Sequence, residues 1–485
     1  MNEAVAVEDA RSFKELKKER LYAGRIKIHP KAIKGRFRTI KWAVLIVLLG
    51  IYYVVPWIRW DRGSGVPDQA VLIDMPGRRA YFFWVEIWPQ EVYYLTFLLI
   101  LAAFGLFLVT SLAGRVWCGF TCPQTVWTDL FMRVERLIEG DRGARIRLEK
   151  APLTQGKLIK KATKHAAWLA IAAATGGAWI MYFNDAPTVT RAILTGNASL
   201  GVYFFFGLFT ATTYLLAGFA REQVCTYMCP WPRFQSALLD EDSYVVTYQK
   251  WRGEPRAPLR KNQDWSSRGD CIACNQCIAV CPMGIDIRDG LQLECIGCGL
   301  CIDACNEVMA RIRWPPDLIT LDTERNQASR AEGLAPVRRF VRPRTVIYAA
   351  ILLAISAGVL LGLAFRSSVD AEVLHDRNPL FVRLSDGSIQ NGYTIKILNK
   401  AREPRTFELA IEGLETARLK ASGREADAAT PILLAAAPDS VTTHRIYISV
   451  PRMALSDENA SLWLQLTEPA TGQTTRHETV FWGPE

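Results

Sequence analysis

Histidine is scarce in this 485-residue chain, and its scarcity limits the cofactors that the chain can hold. The five histidines are His29, His165, His375, His444 and His477. Only His165 lies close to a long apolar segment, and no C-x-x-C-H motif for haem attachment occurs. Because paired histidines inside the helix bundle are not expected, the sequence argues against a cytochrome-type quinol oxidase.

Nucleotide-binding motifs are missing as well. The sequence has neither a Walker A loop nor a convincing dinucleotide fingerprint. We therefore expect electrons to arrive from another protein, such as a flavoprotein or a ferredoxin, or from a quinol.

Cysteine is absent from the C-terminal 180 residues, although the chain has twelve. All of them lie between Cys118 and Cys305. Disulfide-stapled secreted domains would show the reverse distribution, because disulfides persist in oxidising compartments. The cysteines are therefore expected to be cofactor ligands or reactive thiols on the reducing side of a membrane.

Long apolar blocks are present, and they dominate the organisation of the chain. They lie near residues 40–58, 92–113, 166–183, 200–220 and 345–365. Each has about 20 residues, the length with which an α-helix crosses a hydrocarbon core of about 30 Å. The third block is rich in Ala and Gly, which favours packing against other spans. The strongly charged N-terminus predicts no cleavable signal peptide, so the first span stays as an anchor.

The net charge is +10, and the distribution of Lys and Arg along the chain predicts a membrane topology. Lys and Arg crowd the N-terminal arm, the segment 133–161 and the segment 338–344, whereas the loops 59–91 and 184–199 contain few. The positive-inside rule then predicts a cytoplasmic N-terminus and an external C-terminus. No interleaved aromatic pattern accompanies the charge, so no nucleic-acid partner is expected.

Eight cysteines form two runs of identical spacing, CIACNQCIAVCP and CIGCGLCIDACN. In two-cluster ferredoxins, the fourth cysteine of each run binds the neighbouring [4Fe–4S] cluster. The predicted ligands are Cys271, Cys274, Cys277 and Cys305 for cluster one, and Cys295, Cys298, Cys301 and Cys281 for cluster two. Paired zinc sites are the alternative, but zinc sites usually separate their C-x2-C pairs by a dozen or more residues.

Small residues separate the predicted cluster ligands: Ala273, Gly297 and Gly299 leave room for backbone amides to turn toward the sulfurs. Asn306 stands where the usual motif has a proline after its last cysteine. We expect this change to alter the turn without removing a ligand.

The other four cysteines form a repeated C-x3-C-P motif at the ends of two predicted spans. The pairs are Cys118 with Cys122 and Cys225 with Cys229, and the prolines are Pro123 and Pro230. Each proline is expected at the first position of a following helix, since the residue before a proline avoids α geometry. Thiolates, with the thioether of Met228 as a weaker candidate, favour Cu(I) or zinc. Dithiol–disulfide cycling and simple packing of small apolar side chains are the alternatives.

The region after residue 365 alternates apolar and polar residues in several short runs. Asp386-Gly387 and Asn391-Gly392 are typical turn signals between strands. The pattern predicts a β-sandwich of roughly 110 residues. It shows no obvious ligand cluster, which favours a docking or structural role.

Taken together, the basic arm, both C-x3-C-P motifs, the tandem cluster runs and the Ig-like tail resemble the CcoG family, also called FixG or RdxA. The resemblance covers nearly the whole chain. It implies an accessory protein for assembly of cbb3-type cytochrome c oxidase that acts as a cupric reductase. Cu(II) would be reduced near Cys118, Cys122, Cys225 and Cys229 and passed to a copper carrier or exporter. The membrane would be the bacterial inner membrane, and a homodimer is a further expectation.

The expected architecture is a polytopic α-helical membrane protein with five spans, a bacterial-type ferredoxin insert with two [4Fe–4S] clusters and an Ig-like β-sandwich. Its predicted parts are a basic cytoplasmic arm (1–39), a four-helix membrane core (40–220), a cytoplasmic ferredoxin domain (221–344), a fifth span (345–365) and a periplasmic domain (366–485). Two other functions stay open. One is a quinol-linked membrane ferredoxin that serves a respiratory enzyme, and the other is a copper-binding scaffold without turnover.

Overall fold

A computed structural model describes residues 27–63, 65–259, 268–366, 369–414, 416–421, 424–427, 430–455 and 459–484. Most of the predicted basic arm, including Lys14, Lys17, Lys18, Arg20 and Arg25, lies outside these residues. The chain divides into two compact units, Met1–Val359 and Leu360–Glu485.

Helices dominate the first unit. They are α1 (Arg36–Val54), α2 (Tyr93–Ala113), α3 (Pro123–Glu139), α4 (Arg142–Lys150), α5 (Gln155–Met181), α6 (Ala186–Thr195), α7 (Leu200–Thr213), α8 (Trp231–Leu238), α9 (Lys250–Gly253), α10 (Gln276–Val280), α11 (Leu300–Ile312), α12 (Glu324–Ala331) and α13 (Pro343–Ala364), which crosses into the second unit. Three π-helical segments interrupt this series at Trp117–Thr121, Tyr214–Ala220 and Val224–Met228.

Four helical segments among the described residues are long and apolar enough to cross a membrane. They are Arg36–Trp57, Pro89–Ala113, Leu200–Ala220 and Pro343–Ala364. They coincide with four of the five predicted spans, and the chain is therefore a membrane protein.

The third predicted span lies within α5 but does not match the other four in apolar character. Lysines occupy the first turns of α5, and the rest of the helix is rich in the weakly apolar Ala and Gly. The helix nevertheless packs closely along α7. A Cβ added to Gly176 would lie 2.7 Å from the Thr210 hydroxyl and 3.0 Å from the Phe206 carbonyl oxygen. Such close approach at small residues is typical of neighbouring membrane helices.

Two small antiparallel sheets complete the first unit. One consists of β1 (Val71–Asp74), β2 (Arg79–Phe82) and β3 (Val85–Ile87). The other pairs β4 (Val245–Tyr248) with β5 (Ile319–Asp322), which flank the two cysteine runs. Because β4 precedes the two cysteine runs and β5 follows them, the pairing of these strands brings the two ends of the cysteine-containing segment together.

The second unit is a β-sandwich with two antiparallel sheets. Its strands are β6 (Val369–His375), β7 (Val382–Arg383), β8 (Ile389–Asn399), β9 (Arg405–Glu412), β10 (Arg418–Ala421), β11 (Arg424–Asp427), β12 (Ile432–Ala436), β13 (Ser440–Val450), β14 (Asn459–Thr467) and β15 (Thr474–Trp482). One sheet has the order β11-β10-β13-β8-β6, with β7 beside β8, and the other has the order β12-β9-β14-β15. Alternating apolar residues of both sheets, such as Ile395, Leu409 and Leu464, fill the core.

One predicted turn in this unit is wrong. Asp386-Gly387 forms a turn that joins β7 to β8, but Asn391 lies inside β8 and is fully buried. Its side chain accepts from the Trp482 backbone N–H at 3.0 Å and donates to the Trp482 carbonyl at 2.8 Å. A buried amide with both hydrogen bonds satisfied is stable within a strand, so tertiary contacts override the local turn preference.

Candidate functional site

The first C-x3-C-P motif forms a tight π-helical turn that joins α2 to α3. Gly114 takes a positive φ of 60°, which glycine adopts without strain, and redirects the chain at the end of α2. The Cys122 N–H then donates to the Trp117 carbonyl at 2.9 Å. Pro123 occupies the first position of α3, as predicted, because that position needs no N–H donor.

The second motif repeats this backbone. Arg221, at the position that matches Gly114, has a φ of 43°. The Cys229 N–H donates to the Val224 carbonyl at 2.8 Å, the same five-residue spacing as in the first turn. Here α8 begins one residue after Pro230, so this proline caps the helix rather than starting it. Short π segments of this kind often occur at functional sites.

The four thiols of the two turns lie close together. Burial, followed by the nearby Cys122 and Cys225, raises the pKa of Cys118 to about 12. Burial, followed by Cys122 and Cys229, raises the pKa of Cys225 to about 12. The structure thus brings together the four residues that the sequence predicted as a copper or redox site.

This thiol group is not arranged as a finished metal centre. Within the described part of the chain, no three His, Cys, Asp or Glu side chains converge on a single ion position. Met228, the weaker candidate, lies in the second π turn with 63% of its surface exposed.

Gln235 holds the Cys118 side chain in place. The Cys118 thiol donates to Oε1 of Gln235 at 2.9 Å, and Nε2 of Gln235 donates to the Thr110 hydroxyl at 3.2 Å. All three residues are buried. The contact links the first C-x3-C-P turn to α8, which follows the second turn.

The cysteines predicted for cluster one form one group. Burial, followed by the nearby Cys274 and Cys271, raises the pKa of Cys305 to about 12. Burial also raises the pKa of Cys277, which lies near Cys305 and Cys274 as well. The fourth cysteine of the second run therefore lies with the first three of the first run.

The cysteines predicted for cluster two form a second group. Burial, followed by the nearby Cys298, raises the pKa of Cys281 to about 12. Burial likewise raises the pKa of Cys301, with Cys298, Cys295 and Cys281 close by. All eight thiols are free of disulfides, so the donor set suits two [4Fe–4S] clusters.

The loops between these cysteines have matching backbones. Ala273 and Asn275 in the first loop have φ values of 51° and 55°, and Gly297 and Gly299 in the second have 68° and 71°. Left-handed residues at alternate positions turn successive amides toward one side, which forms a cradle for a negatively charged group. These loop shapes also suit iron–sulfur clusters.

Asn306 lets α11 continue past the last cysteine. Proline at this position would interrupt the helix, but α11 extends to Ile312. The Asn306 side chain donates to Asp317 Oδ1 at 3.0 Å and accepts from the Asp317 N–H at 2.7 Å. Asn306 in place of the usual proline therefore alters the backbone that follows Cys305 and leaves the cysteine itself in place, as expected.

The first C-x3-C-P turn packs directly on the second cysteine run. A Cβ added to Gly119 would lie 2.8 Å from the Ile296 carbonyl oxygen and 3.0 Å from the Cys298 N and Cα atoms. Cys118 and Cys298 belong to one buried apolar cluster. Only glycine allows this approach, because the neighbouring atoms are backbone.

Arg115 adds a buried positive charge at the same contact. Its guanidinium donates to the carbonyls of Leu293, Cys295 and Pro232, the last two at 3.1 Å and 2.9 Å. Within the described residues it forms no ion pair. Sequence reasoning missed Arg115, Gly119 and Gln235, and the first two could have been suspected only from their position beside Cys118.

Three family models match the chain. The 4Fe-4S dicluster domain matches residues 220–324, a 4Fe-4S binding domain matches residues 95–143, and the Ig-like fold at the C-terminal end of FixG matches residues 359–484. The segment 95–143 contains only two cysteines, Cys118 and Cys122, too few to supply the four ligands of one cluster.

Three relatives resemble nearly the whole chain. The nitrogen fixation protein FixG of Rhizobium meliloti strain 1021 is 47% identical over 95% of this chain and 93% of its own length. Proteins RdxB and RdxA of Cereibacter sphaeroides are each 47% identical, over 96% and 94% of this chain and 97% and 93% of their own lengths.

Proposed function

This chain belongs to the FixG family, and on that premise we propose that it reduces Cu(II) to Cu(I) with electrons carried by two iron–sulfur clusters. The family models and the two cysteine groups support iron–sulfur electron transfer as the general activity. The assignment of copper as the electron acceptor is our own inference.

The proposal assigns eight thiolates to the clusters. Cluster one would be held by Cys271, Cys274, Cys277 and Cys305, and cluster two by Cys295, Cys298, Cys301 and Cys281. When bound, the clusters supply single electrons. Burial of all eight side chains to at least an intermediate degree would limit access of water and oxygen to them.

The contact between Gly119 and the Ile296–Cys298 backbone carries the proposal. Cys118 belongs to the same buried apolar cluster as Cys298, Cys281 packs against that cluster, and no solvent layer separates the turn from the loop. One electron that crosses this contact would convert one Cu(II) to one Cu(I). Because Cu(I) prefers thiolate and thioether ligands, the product would be held by the cysteines of the two turns and by Met228 before release.

The arrangement in the membrane is also part of the proposal. We assign α5 as a fifth span, since it packs along α7, and we place the N-terminus and the clusters in the cytoplasm. The Ig-like unit would then lie in the periplasm of a bacterial inner membrane. Proposed partners are membrane lipid, assembly factors of cbb3-type oxidase, a copper carrier or exporter, an electron donor and a second copy of the chain.

Purified full-length protein tests the proposal. Dithionite-reduced protein, freed of excess reductant, should convert Cu(II) to Cu(I), which a Cu(I)-specific chelator reports. Changing both Cys118 and Cys225 to Ser should lower this conversion at least about tenfold, equivalent to about 1.4 kcal/mol, while the EPR signals of the clusters persist. Thr226→Ser, a change within the second turn, provides the matched control.

The metal content of the purified protein distinguishes two iron–sulfur clusters from three clusters and from zinc sites. About eight irons per chain would agree with two clusters. About twelve would assign the four outer cysteines to a third cluster, and two zincs would remove the clusters altogether. Unchanged copper reduction in the double variant would contradict the role of the C-x3-C-P thiols.

A further inference from the structure

A cavity of about 430 Å³ lies where the lysine-rich start of α5 meets its apolar remainder. Glu135, Lys164, His165, Trp168, Phe219 and Arg221 are among its lining residues. The cavity shares Ile28, Arg221 and Glu222 with a smaller cavity lined by Cys225 and Met283. A ligand here would therefore lie next to the proposed electron-transfer site.

Aromatic rings shape one side of this cavity. The His165 ring stacks on Phe219 with centroids 5.7 Å apart and meets the edge of Trp168 at 5.2 Å. His165 Nδ1 lies 2.9 Å from the Tyr214 hydroxyl, which leaves Nε2 without a hydrogen bond in the described part of the chain. In the tautomer whose Nδ1–H donates to that hydroxyl, Nε2 can accept a hydrogen bond, and then a proton, from a ligand.

A second acceptor lines the same cavity. Glu135 is fully buried, and its Oε2 accepts from Arg145 at 2.5 Å and from Arg221 at 3.0 Å. Its Oε1 lies 3.6 Å from the Lys164 ammonium, too far for a hydrogen bond, and has no hydrogen-bond partner among the described residues. A buried carboxylate oxygen that accepts no hydrogen bond is costly, and a hydroxyl of a ligand would satisfy it.

The lysines that line the cavity already have partners within the protein. Lys164 and Lys161 each lie 2.9 Å from Glu139, and Lys27 lies 2.8 Å from Glu149. Lys157 donates to the backbone carbonyls of Glu149 and Ala151 at 3.0 Å and 2.5 Å. A neutral ring that donates hydrogen bonds would leave these contacts intact.

Exposed apolar side chains occur next to lining residues in the sequence. Leu169 follows the lining residue Trp168 and is 51% exposed, Leu215 is 53% exposed, and Phe219, which itself lines the cavity, is 39% exposed. Exposed apolar side chains near the end of a span are suited to a hydrocarbon tail. The ligand is therefore expected to combine a polar ring with an apolar tail.

We propose that this cavity binds the ring of a membrane quinol, which is the electron donor. The inference rests on the proposed function, because it names the source of the electrons. Oxidation of the quinol to quinone releases two electrons and two protons. One electron would go to each of the two iron–sulfur centres, while His165 would accept one proton and water would take the other.

Quinol-driven reduction of the clusters tests this inference without copper. Decylubiquinol and menadiol are added separately to oxidised full-length protein under argon, and EPR follows the [4Fe–4S] signals. The wild-type protein should be reduced with saturable dependence on one of these quinols. His165→Phe removes one hydrogen-bond acceptor and should raise the half-saturating concentration about tenfold. His444→Phe, in the second unit, is the matched control and should match the wild type.

Dithionite reduction of each variant checks that its clusters are intact. Equal response of His165→Phe and wild type would overturn the inference, as would a wild type that dithionite reduces but neither quinol does. The wild-type protein could instead retain an anionic phospholipid that quinol does not displace. If His165→Phe abolished that retention, the cavity would be a lipid site and the inference would be overturned. Dithionite-reduced His165→Phe should still reduce Cu(II). If dithionite-reduced wild type does not, the copper proposal fails independently of quinol binding.

Discussion

The two C-x3-C-P turns have the same backbone but different surroundings. In each turn, the backbone N–H of the second cysteine donates to the carbonyl oxygen of the residue five positions earlier. The N···O distance is 2.9 Å in the first turn and 2.8 Å in the second. Cys118 is only 7% exposed, whereas Tyr227 and Met228 of the second turn are 56% and 63% exposed. A repeated sequence motif therefore does not imply a repeated role.

The difference suggests a division of labour between the turns. Under the proposed function, the first turn would deliver electrons, because it contacts the second cysteine run through Gly119 and lies beside the Arg115 charge. The second turn, which exposes the thioether of Met228, would receive copper. Four substitutions test this division.

Gly119→Ala should have the largest effect. The new methyl group would lie 2.8 Å from the Ile296 carbonyl oxygen, and backbone atoms cannot rotate away. We expect a loss of about 1–3 kcal/mol in stability, as for other overpacked sites, and a large decrease in Cu(II) reduction by dithionite-reduced protein.

Gly105→Ala is the matched control for this change. No atom lies within 4 Å of the added Cβ, so neither thermal stability nor copper reduction should fall. Normal activity of Gly119→Ala would show that electrons do not cross this contact.

Much of the fold follows from local patterns in the sequence. Apolar length predicts the four spans that meet the membrane criterion, and alternation predicts the β-sandwich. The third predicted span does not meet this criterion, because α5 is only weakly apolar, although it packs closely against α7. The buried Asn391 was missed because its partner, Trp482, is far away in the sequence. The predicted domain boundaries stay predictions.

The candidate site was also predictable only in part from the sequence. Cysteine spacing predicts which thiols gather, since ligands of one cluster recur at short, fixed intervals. Nothing in the spacing indicates a π turn or the hydrogen bond from Cys118 to Gln235, because both depend on how distant segments pack. Long-range contacts of this kind leave no periodic signal in a single sequence.

Arg115→Gln should have the next largest effect, on the reduction potential of one cluster. At an effective dielectric constant of about 20, a unit charge at a separation on the order of 8 Å would contribute about 2 kcal/mol. Removing it should lower the potential of the second cluster by roughly 80 mV, since about 59 mV corresponds to a tenfold change for one electron. An EPR-monitored redox titration measures the shift.

Arg311→Gln is the control for the loss of an arginine. Arg311 belongs to the same region but forms an exposed pair with Glu307, so its removal should leave both potentials unchanged. If Arg115→Gln also leaves both potentials unchanged, the buried charge does not distinguish the first turn from the second.

Gln235→Leu should have a smaller effect, confined to the first turn. The change removes the acceptor of the Cys118 thiol and the donor to Thr110, which should cost about 1 kcal/mol in stability. Alkylation of Cys118 in protein without added metal, followed by mass spectrometry, should become faster while alkylation of Cys225 does not. Equal acceleration at both cysteines would show that the two turns move as one unit.

Met228→Leu should have the smallest effect, and it tests the second turn alone. Loss of the thioether should weaken Cu(I) binding about threefold, equivalent to about 0.6 kcal/mol, because a weak ligand is removed and the thiols remain. Competition with a Cu(I) chelator measures the affinity, and Met453→Leu, at a 99% exposed methionine of the second unit, is the matched control. Identical affinities in the two variants would leave the second turn without a copper ligand beyond its cysteines. The exposure of Met228 would then reflect contact with lipid or a partner, and the division between the turns would rest on the first turn alone.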